Sequence, residues 1–354
     1  MVIYMTIYEY VKKYNYTFSE RPFNEVDNVV FATLSYPYYD GIISNNSNNK
    51  KTINEIAKEY IKKYPKNKKG EITAIKMGVK LLHEIIDSPR FKDVLVYNYQ
   101  YIGNDNSQFS ALTFDFNNTL YISYEGTDEL ISGWEEDFKM SYIFPVEAHK
   151  KAIKYLNKYL FTNKKLILGG HSKGGNLALV AGMCTNPFIR SKIINIYSND
   201  GQGLRKKEIE SRKYKRIESK YIHLIPHNSI VGLLCRHNKD IVVKASAVTV
   251  FSHATSTWLI EDDHFIRGEL TRTSKIFDKG MLSWLDKYDD QKRKKFVDEV
   301  FNVLKENEIK TLVEIKTNPM DIIKIIKSSN NLSEDVREMI NDFGNVMNKI
   351  SKEN

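Results

Sequence analysis

The chain has 354 residues and a formal net charge of +9, with 42% hydrophobic and 27% charged residues. This composition is that of an ordinary globular protein and excludes low-complexity and fibrous chains. Because acidic residues interrupt the lysine-rich stretches and no nucleic-acid-binding signature is present, we expect no specific nucleic-acid partner, whereas weak association with an anionic membrane surface is compatible with the charge.

The sequence carries no feature of secretion or membrane insertion. The first residues lack a basic start and a long apolar core, and no window of 18 apolar residues occurs. The two cysteines, Cys184 and Cys235, provide no disulfide framework, and we expect both to be buried and reduced. These features predict a cytoplasmic protein, whose oligomeric state the sequence does not reveal.

Residues 1–90 predict a helical segment that packs on the core. Its clearest helix spans residues 72–87, where apolar residues recur at helical spacing until Ser88-Pro89 ends the pattern. Three strand-like runs follow at residues 94–102, 109–116 and 119–124. Their alternation of apolar and polar residues, separated by Asn-rich turns, predicts an antiparallel start to a sheet.

Strands and helices then alternate. Strand-like runs lie at residues 166–168, 193–197, 221–226 and 240–246, with a basic helix predicted over residues 205–220 and no strand pattern after Trp258. This alternation predicts an α/β fold with a mostly parallel central sheet flanked by helices. We therefore divide the chain into a core at residues 91–270, preceded by residues 1–90 and followed by a helical C-terminal appendage at residues 271–354 with a break at Pro319.

The segment from Gly170 to Gly174 fits the pattern G-x-S-x-G, with Ser172 at its centre. Such a pentapeptide occurs by chance in roughly one chain in 20, so its context must decide its meaning. The strand-like run Lys165–Leu168 precedes it, and a helix with small residues on one face follows. Strand, glycine-flanked turn and helix together form a nucleophile elbow, which predicts Ser172 as a nucleophile rather than an idle turn residue.

A serine nucleophile needs a histidine base and an acid, which in this kind of fold follow in the order acid, histidine. His253 comes after the last predicted strand and is the candidate base, with His264 as the alternative. Asp200 lies at a strand end before a glycine turn and is the candidate acid, although an Asp-Gly turn residue is the competing interpretation. We expect His171, beside the serine, to point elsewhere.

An oxyanion hole needs backbone N–H groups directed at the developing negative charge. Lys173, directly after the serine, and the loop at Gly126 and Thr127 are the candidate donors. Four acidic residues follow this loop in the sequence: Asp128, Glu135, Glu136 and Asp137. We expect them to form helix caps and surface salt bridges rather than a metal site. The sequence predicts no cofactor and no metal.

Several motifs occur together over nearly the whole chain, namely Q-F-S-A-L-T-F, E-G-T-D, G-W-E-E-D-F, G-G-H-S-K-G-G-N and N-D-G-Q-G. In this order they resemble the Mbeg-like family, bacterial proteins of uncharacterised function with an α/β-hydrolase fold similar to the class 3 (fungal-type) lipases. The resemblance implies that Ser172 is the nucleophile, that His253 is the base, and that Gly126-Thr127 corresponds to the lipases' oxyanion loop. One departure is Glu125, where the family usually has arginine.

These observations predict a serine hydrolase that cleaves an acyl ester, small or lipid-like, through an acyl-enzyme. The alternative is a catalytically silent relative that uses the same pocket to bind a ligand or a protein partner, which the departure at Glu125 motivates. Residues 129–150 follow the oxyanion loop and are the candidate lid or pocket wall. The sequence leaves the substrate and its acyl chain open.

Overall fold

The computed structural model describes residues 4–65, 73–104, 107–127, 131–309, 325–326 and 328–353. Their main feature is an eight-stranded sheet in which the strands lie in chain order. The strands are β1 Lys51–Thr52, β2 Leu95–Asn104, β3 Ser107–Phe116, β4 Thr119–Tyr124, β5 Lys165–His171, β6 Ile193–Asn199, β7 Tyr221–Pro226 and β8 Asp240–Val243. Strands β1 to β4 pair antiparallel and β4 to β8 pair parallel. This confirms the predicted α/β-hydrolase-like sheet with antiparallel strands at its start.

Helices flank this sheet and form the C-terminal part of the chain. They are α1 Ile7–Lys13, α2 Glu25–Thr33, α3 Ile53–Lys63, α4 Thr73–Ile85, α5 Ile131–Lys139, α6 Glu147–Asn157, α7 Lys173–Cys184, α8 Pro187–Lys192, α9 Lys206–Ile209, α10 Arg212–Lys215, α11 Arg272–Lys287, α12 Asp290–Glu306 and α13 Glu334–Glu353. None of the described helices is long and apolar enough to cross a membrane.

The two faces of the sheet are covered by different parts of the chain. Leu166 and Leu168 of β5 pack into a core with α6 and α7, whereas Ile167 between them packs into a core with the N-terminal helices α1 to α4. This alternation follows from the period of two in a strand. Because the parallel strands follow one another in order, their crossover helices lie on one face, and the N-terminal helices cover the other.

Two sequence predictions differ from the structure in detail, and a third is not tested by it. The basic stretch 205–220 forms α9, α10 and a short 3-10 turn instead of one helix, because the Ser211 side chain caps a new helix start by accepting from the Tyr214 amide. After Trp258 a small hairpin pairs β9 Ile260–Glu261 with β10 His264–Phe265. The predicted break at Pro319 lies outside the described residues.

A buried ion pair holds the N-terminal segment together. Arg90 Nε and Nη2 donate to Asp27 Oδ1 and Oδ2 at 2.7 and 2.5 Å, and both side chains are 0% exposed. The same guanidinium also donates to the carbonyl oxygens of Tyr16 and Pro22, at 2.9 Å each. One side chain thus fixes the loop between α1 and α2 against the end of the N-terminal helical segment.

We predict that Arg90→Met lowers the free energy of unfolding by about 3–5 kcal/mol, because it leaves the Asp27 carboxylate buried without its cation. Urea denaturation followed by circular dichroism measures this difference. Lys92→Met is the matched control, since Lys92 forms an exposed, 4.0 Å pair with Asp93. Equal stability of the two variants would contradict the prediction.

Candidate active site

Ser172 lies in a strained turn between β5 and α7. Its backbone has φ 57° and ψ −133°, a conformation that residues other than glycine rarely adopt. The flanking glycines make room for this turn: a Cβ atom added to Gly174 would lie 2.0 Å from the Tyr124 carbonyl oxygen, and one added to Gly170 would lie 2.3 Å from Gly174 C. The strand, turn and helix predicted around Ser172 are therefore present.

Asp200 and His253, the candidate acid and base, are hydrogen-bonded to each other. His253 Nδ1 lies 2.6 Å from Asp200 Oδ2. The other Asp200 oxygen, Oδ1, accepts from Ser229 Oγ at 2.5 Å and from the Gly232 amide at 3.0 Å, and the side chain is 1% exposed. The carboxylate is thus fixed on both oxygens, and it leaves Nε2 of His253 as the ring nitrogen available to a reacting group.

His171 contacts the candidate base, which the sequence did not predict. Its ring lies 4.4 Å from the His253 ring between centroids, and its Nε2 lies 2.8 Å from the His253 carbonyl oxygen. Because a carbonyl only accepts, Nε2 carries the proton, and Nδ1 accepts from the Tyr36 hydroxyl at 2.7 Å. The hydrogen bonds of the described residues do not include one between Ser172 and His253.

The predicted oxyanion loop packs against the turn that carries Ser172. A Cβ atom added to Gly126 would lie 2.6 Å from the His171 carbonyl oxygen and 3.1 Å from Ser172 Cβ. Thr127 Oγ1 donates to Asp137 Oδ2 at 2.7 Å, so its hydroxyl proton is engaged and its backbone amide is the candidate donor. The structure therefore brings the 126–127 loop, Ser172 and the amide of the following Lys173 to one place.

The acidic residues near this loop are only partly at the surface. Glu135 forms the expected salt bridges, with Lys139 and Lys305 at 2.8 and 2.5 Å. Glu136 is buried instead, and it accepts from Lys173 Nζ at 2.5 Å inside the protein. Asp137 is also buried, and Asp128 lies outside the described residues. The prediction of a surface role is wrong for Glu136 and Asp137, because both face the core from α5.

Asp137 has an unusual environment. Its Oδ1 and the nearby Gln202 Oε1 are both buried acceptors without a hydrogen-bond partner among the described residues. Burial raises the pKa of Asp137 to about 7, against the attraction of Lys173 and the hydrogen bond from Thr127, which lower it.

Sequence reasoning missed the residues that support the turn after Asp200. Asn176 Nδ2 donates to the carbonyl oxygens of Gln202 and Gly203 at 3.0 and 2.9 Å, and its Oδ1 lies 2.6 Å from His149 Nε2. Burial lowers the pKa of His149 to about 4, so this ring is neutral at pH 7. Asn176 is the last residue of the motif H-S-K-G-G-N, so the sequence could have indicated this role. Nothing in the local pattern pointed to His149.

Two other sequence predictions concern side chains at the edge of this region. His264, the alternative base, is exposed and bonded to Asp263 at 3.3 Å. Glu125, the departure before the oxyanion loop, is 8% exposed, and its negative charge helps burial to raise the pKa of Tyr36 well above the usual range. Tyr36 therefore remains a protonated donor to His171.

Comparison with known proteins gives one family match. The model of the Mbeg1-like family matches residues 85–302, more than half of the chain. Among solved structures, the chain is similar to the native Rhizomucor miehei lipase propeptide complex, with 13% identity, a TM-score of 0.35, and coverage of 47% of this chain and 70% of that chain. It is also similar to M37 lipase, with 13% identity, a TM-score of 0.33, and coverage of 58% and 68%. No curated protein matches the chain.

We predict that Asp137→Asn stabilises the protein at neutral pH, because a neutral amide accepts from Thr127 as the carboxyl group does and places no charge in this buried position. In the wild type, the folded state keeps a proton between pH 4 and 7 that the unfolded chain has released, so its free energy of unfolding falls as the pH rises. The advantage of the variant should grow over this window by a few kcal/mol, at about 1.4 kcal/mol per pKa unit.

Urea unfolding at intervals from pH 4 to 8 measures this difference. The exposed Asp263→Asn is the control and should leave the pH dependence unchanged. A constant difference between Asp137→Asn and wild type across the window would show that Asp137 does not hold the proton.

Proposed function

This chain belongs to the Mbeg1-like family, and we propose that it is a serine hydrolase that cleaves acyl esters. The observation that carries the proposal is the conjunction of a strained, glycine-flanked Ser172 with a buried Asp200 that lies 2.6 Å from the ring of the half-buried His253. Backbone strain at a polar residue persists only where the surrounding structure enforces it, and it concentrates at functional sites. A strand-to-helix turn around a serine without a function would not require this backbone strain.

In the proposed reaction Ser172 Oγ attacks the ester carbonyl and His253 Nε2 takes its proton. Asp200 holds the ring through Nδ1 and stabilises the imidazolium that forms. The negative charge on the tetrahedral oxygen would be bound by the backbone amides of Thr127 and Lys173, with the positive end of the helix α7 dipole behind it. His253 then protonates the leaving alcohol, and an acyl-enzyme remains on Ser172.

Water then hydrolyses the acyl-enzyme with the help of the same residues. His253 removes a proton from the water, the hydroxide attacks the acyl carbonyl, and Ser172 leaves with the proton that His253 returns. His171 supports these steps as a positioning residue, because it holds the His253 carbonyl while Tyr36 fixes its tautomer. A neutral His171 beside the ring also avoids a second positive charge when His253 is protonated. No cofactor takes part in the proposed reaction.

An apolar surface beside the candidate base supports the proposal that the substrate carries an acyl group. Val248 and Phe251 are 65% and 60% exposed; Phe251 lies on the 3-10 turn Thr249–His253 and Val248 directly precedes this turn. Exposed large apolar side chains next to a reactive group suit a hydrocarbon chain better than a charged substrate. Weak association of this surface with an anionic membrane follows as a secondary proposal from the net charge of +9.

We predict that a fluorophosphonate probe labels the wild type once and that Ser172→Ala abolishes both labelling and hydrolysis of short-chain p-nitrophenyl esters. The reason is that only Ser172 Oγ is available as a nucleophile on the elbow. Ser246→Ala is the matched control, because that exposed serine donates to the Thr257 carbonyl away from the elbow. Labelling by intact-protein mass spectrometry and ester turnover are the measurements.

Two outcomes would count against the proposal. Equal labelling of the wild type and Ser172→Ala would place any activity elsewhere. A folded wild type that neither labels nor turns over any ester in the panel would favour the catalytically silent alternative, in which the buried Glu125 beside the oxyanion loop opposes the developing negative charge.

We predict that Asp200→Asn lowers kcat for esters by roughly 10³–10⁴-fold with little change in KM, because the imidazolium loses its orienting carboxylate. Asp262→Asn, in the turn of the small hairpin, is the control and should retain activity. Steady-state kinetics on both variants test this, with circular dichroism to establish that both are folded. An Asp200→Asn variant with wild-type kcat would remove Asp200 from the proposed machinery.

A further inference from the structure

A cluster of two histidines and one aspartate lies at the β7–β8 edge of the sheet, outside the proposed catalytic residues. His223 in β7 and Asp240 at the start of β8 are register partners, and His237 precedes Asp240 by three residues. The His223, His237 and Asp240 side chains are 0%, 9% and 16% exposed. One nitrogen or oxygen from each of the three lies within 4.8 Å of the others.

The outer nitrogen of each histidine already has an oxygen partner. His223 Nε2 lies 2.9 Å from the Gly201 carbonyl oxygen, and His237 Nε2 lies 3.2 Å from Asp278 Oδ1 of helix α11. A carbonyl and a carboxylate both accept, so both Nε2 atoms carry protons. Donation of the outer N–H to a carbonyl or carboxylate is the arrangement that orients metal-binding histidines in proteins.

The inner nitrogens converge on one carboxylate. His223 Nδ1 and His237 Nδ1 lie 2.7 and 2.5 Å from the two oxygens of Asp240. With the proton of each ring on Nε2, the two Nδ1 lone pairs and the Asp240 carboxylate face one another as three convergent ligand atoms. A divalent ion is the kind of group that such a set of ligand atoms binds.

We propose that His223, His237 and Asp240 bind a divalent first-row transition metal ion, of which zinc is the ion best suited to this ligand set. Imidazole nitrogen and carboxylate oxygen are ligands that zinc accepts, with water or a further oxygen completing the shell. Gly201 and Asp278 then serve as the outer partners of the two histidines. The sequence predicted no metal, because His223 lies in a strand-like run typical of the core and His237 lies in a charged turn.

The proposed ion has a structural consequence. It would join β7, β8 and, through Asp278, the C-terminal helix α11. Through His223 it would also fix Gly201, the residue after the candidate acid Asp200. The proposal nevertheless stands independently of the hydrolase proposal, because it concerns ion binding and not ester cleavage.

The test uses the full-length protein, purified, treated with a chelator, and titrated with Co²⁺ and then Zn²⁺. We expect one Co²⁺ per chain with visible d–d absorption bands, displacement of Co²⁺ by Zn²⁺, and a higher Tm with the ion. His237→Gln and Asp240→Asn should each weaken binding at least about 100-fold, and Asp278→Asn about 10- to 100-fold. His264→Gln is the matched control, because His264 forms a similar but exposed pair with Asp263.

The ion-pair arrangement is the competing explanation, since hydrogen bonds to Asp240 and Asp278 raise the pKa of His237 to about 9 against the effect of burial. It predicts no stoichiometric Co²⁺ or Zn²⁺ binding by folded wild type, and that result overturns the proposal. Binding that His237→Gln and Asp240→Asn leave unchanged overturns it too. If these variants do not fold, the wild-type titration and its Tm shift still decide the question without any ester.

Discussion

The close contact between the end of β4 and the first turn of α7 is the constraint on which the site depends. The Tyr124 carbonyl oxygen leaves no room for a side chain at Gly174, and Gly174 in turn leaves none at Gly170. The chain can therefore turn from strand to helix only within the residues between them. Ser172 takes the positive φ as a result, and the same contact brings the 126–127 loop against the serine.

The N-terminal segment is part of this site because of the strand order. With β4 to β8 parallel and in sequence, the crossover helices cover one face, and the other face needs helices from elsewhere in the chain. Helix α2 lies there, with Asn28 Nδ2 donating to Asn199 Oδ1 at 2.7 Å, next to Asp200. The residues that follow α2 then carry Tyr36 to His171. Burial of the sheet and positioning of the base thus use the same segment.

What the sequence predicted well is local or set by chain order. The turn at Ser172 was predictable because a strand, glycines and a helix are contiguous, and the proximity of Asp200 and His253 because parallel strands end at one edge in a fixed order. Tyr36 and Asp137 were missed as supporting residues because their partners are set by packing between separate elements. The contact of His171 with His253 was missed for the same reason, since it spans 82 residues of the chain.

Two buried carboxyl groups at this edge of the sheet show how packing assigns different roles to one residue type. Asp200 has a donor on both oxygens, from His253, Ser229 and Gly232, which suits an ionised group that faces an imidazolium. Asp137 has a donor on one oxygen and none on the other, and burial raises its pKa to about 7, which favours the protonated form. A neutral Asp137 also leaves less negative charge beside Thr127. An oxyanion at the loop would then meet the Glu125 charge, partly offset by the dipole of α7.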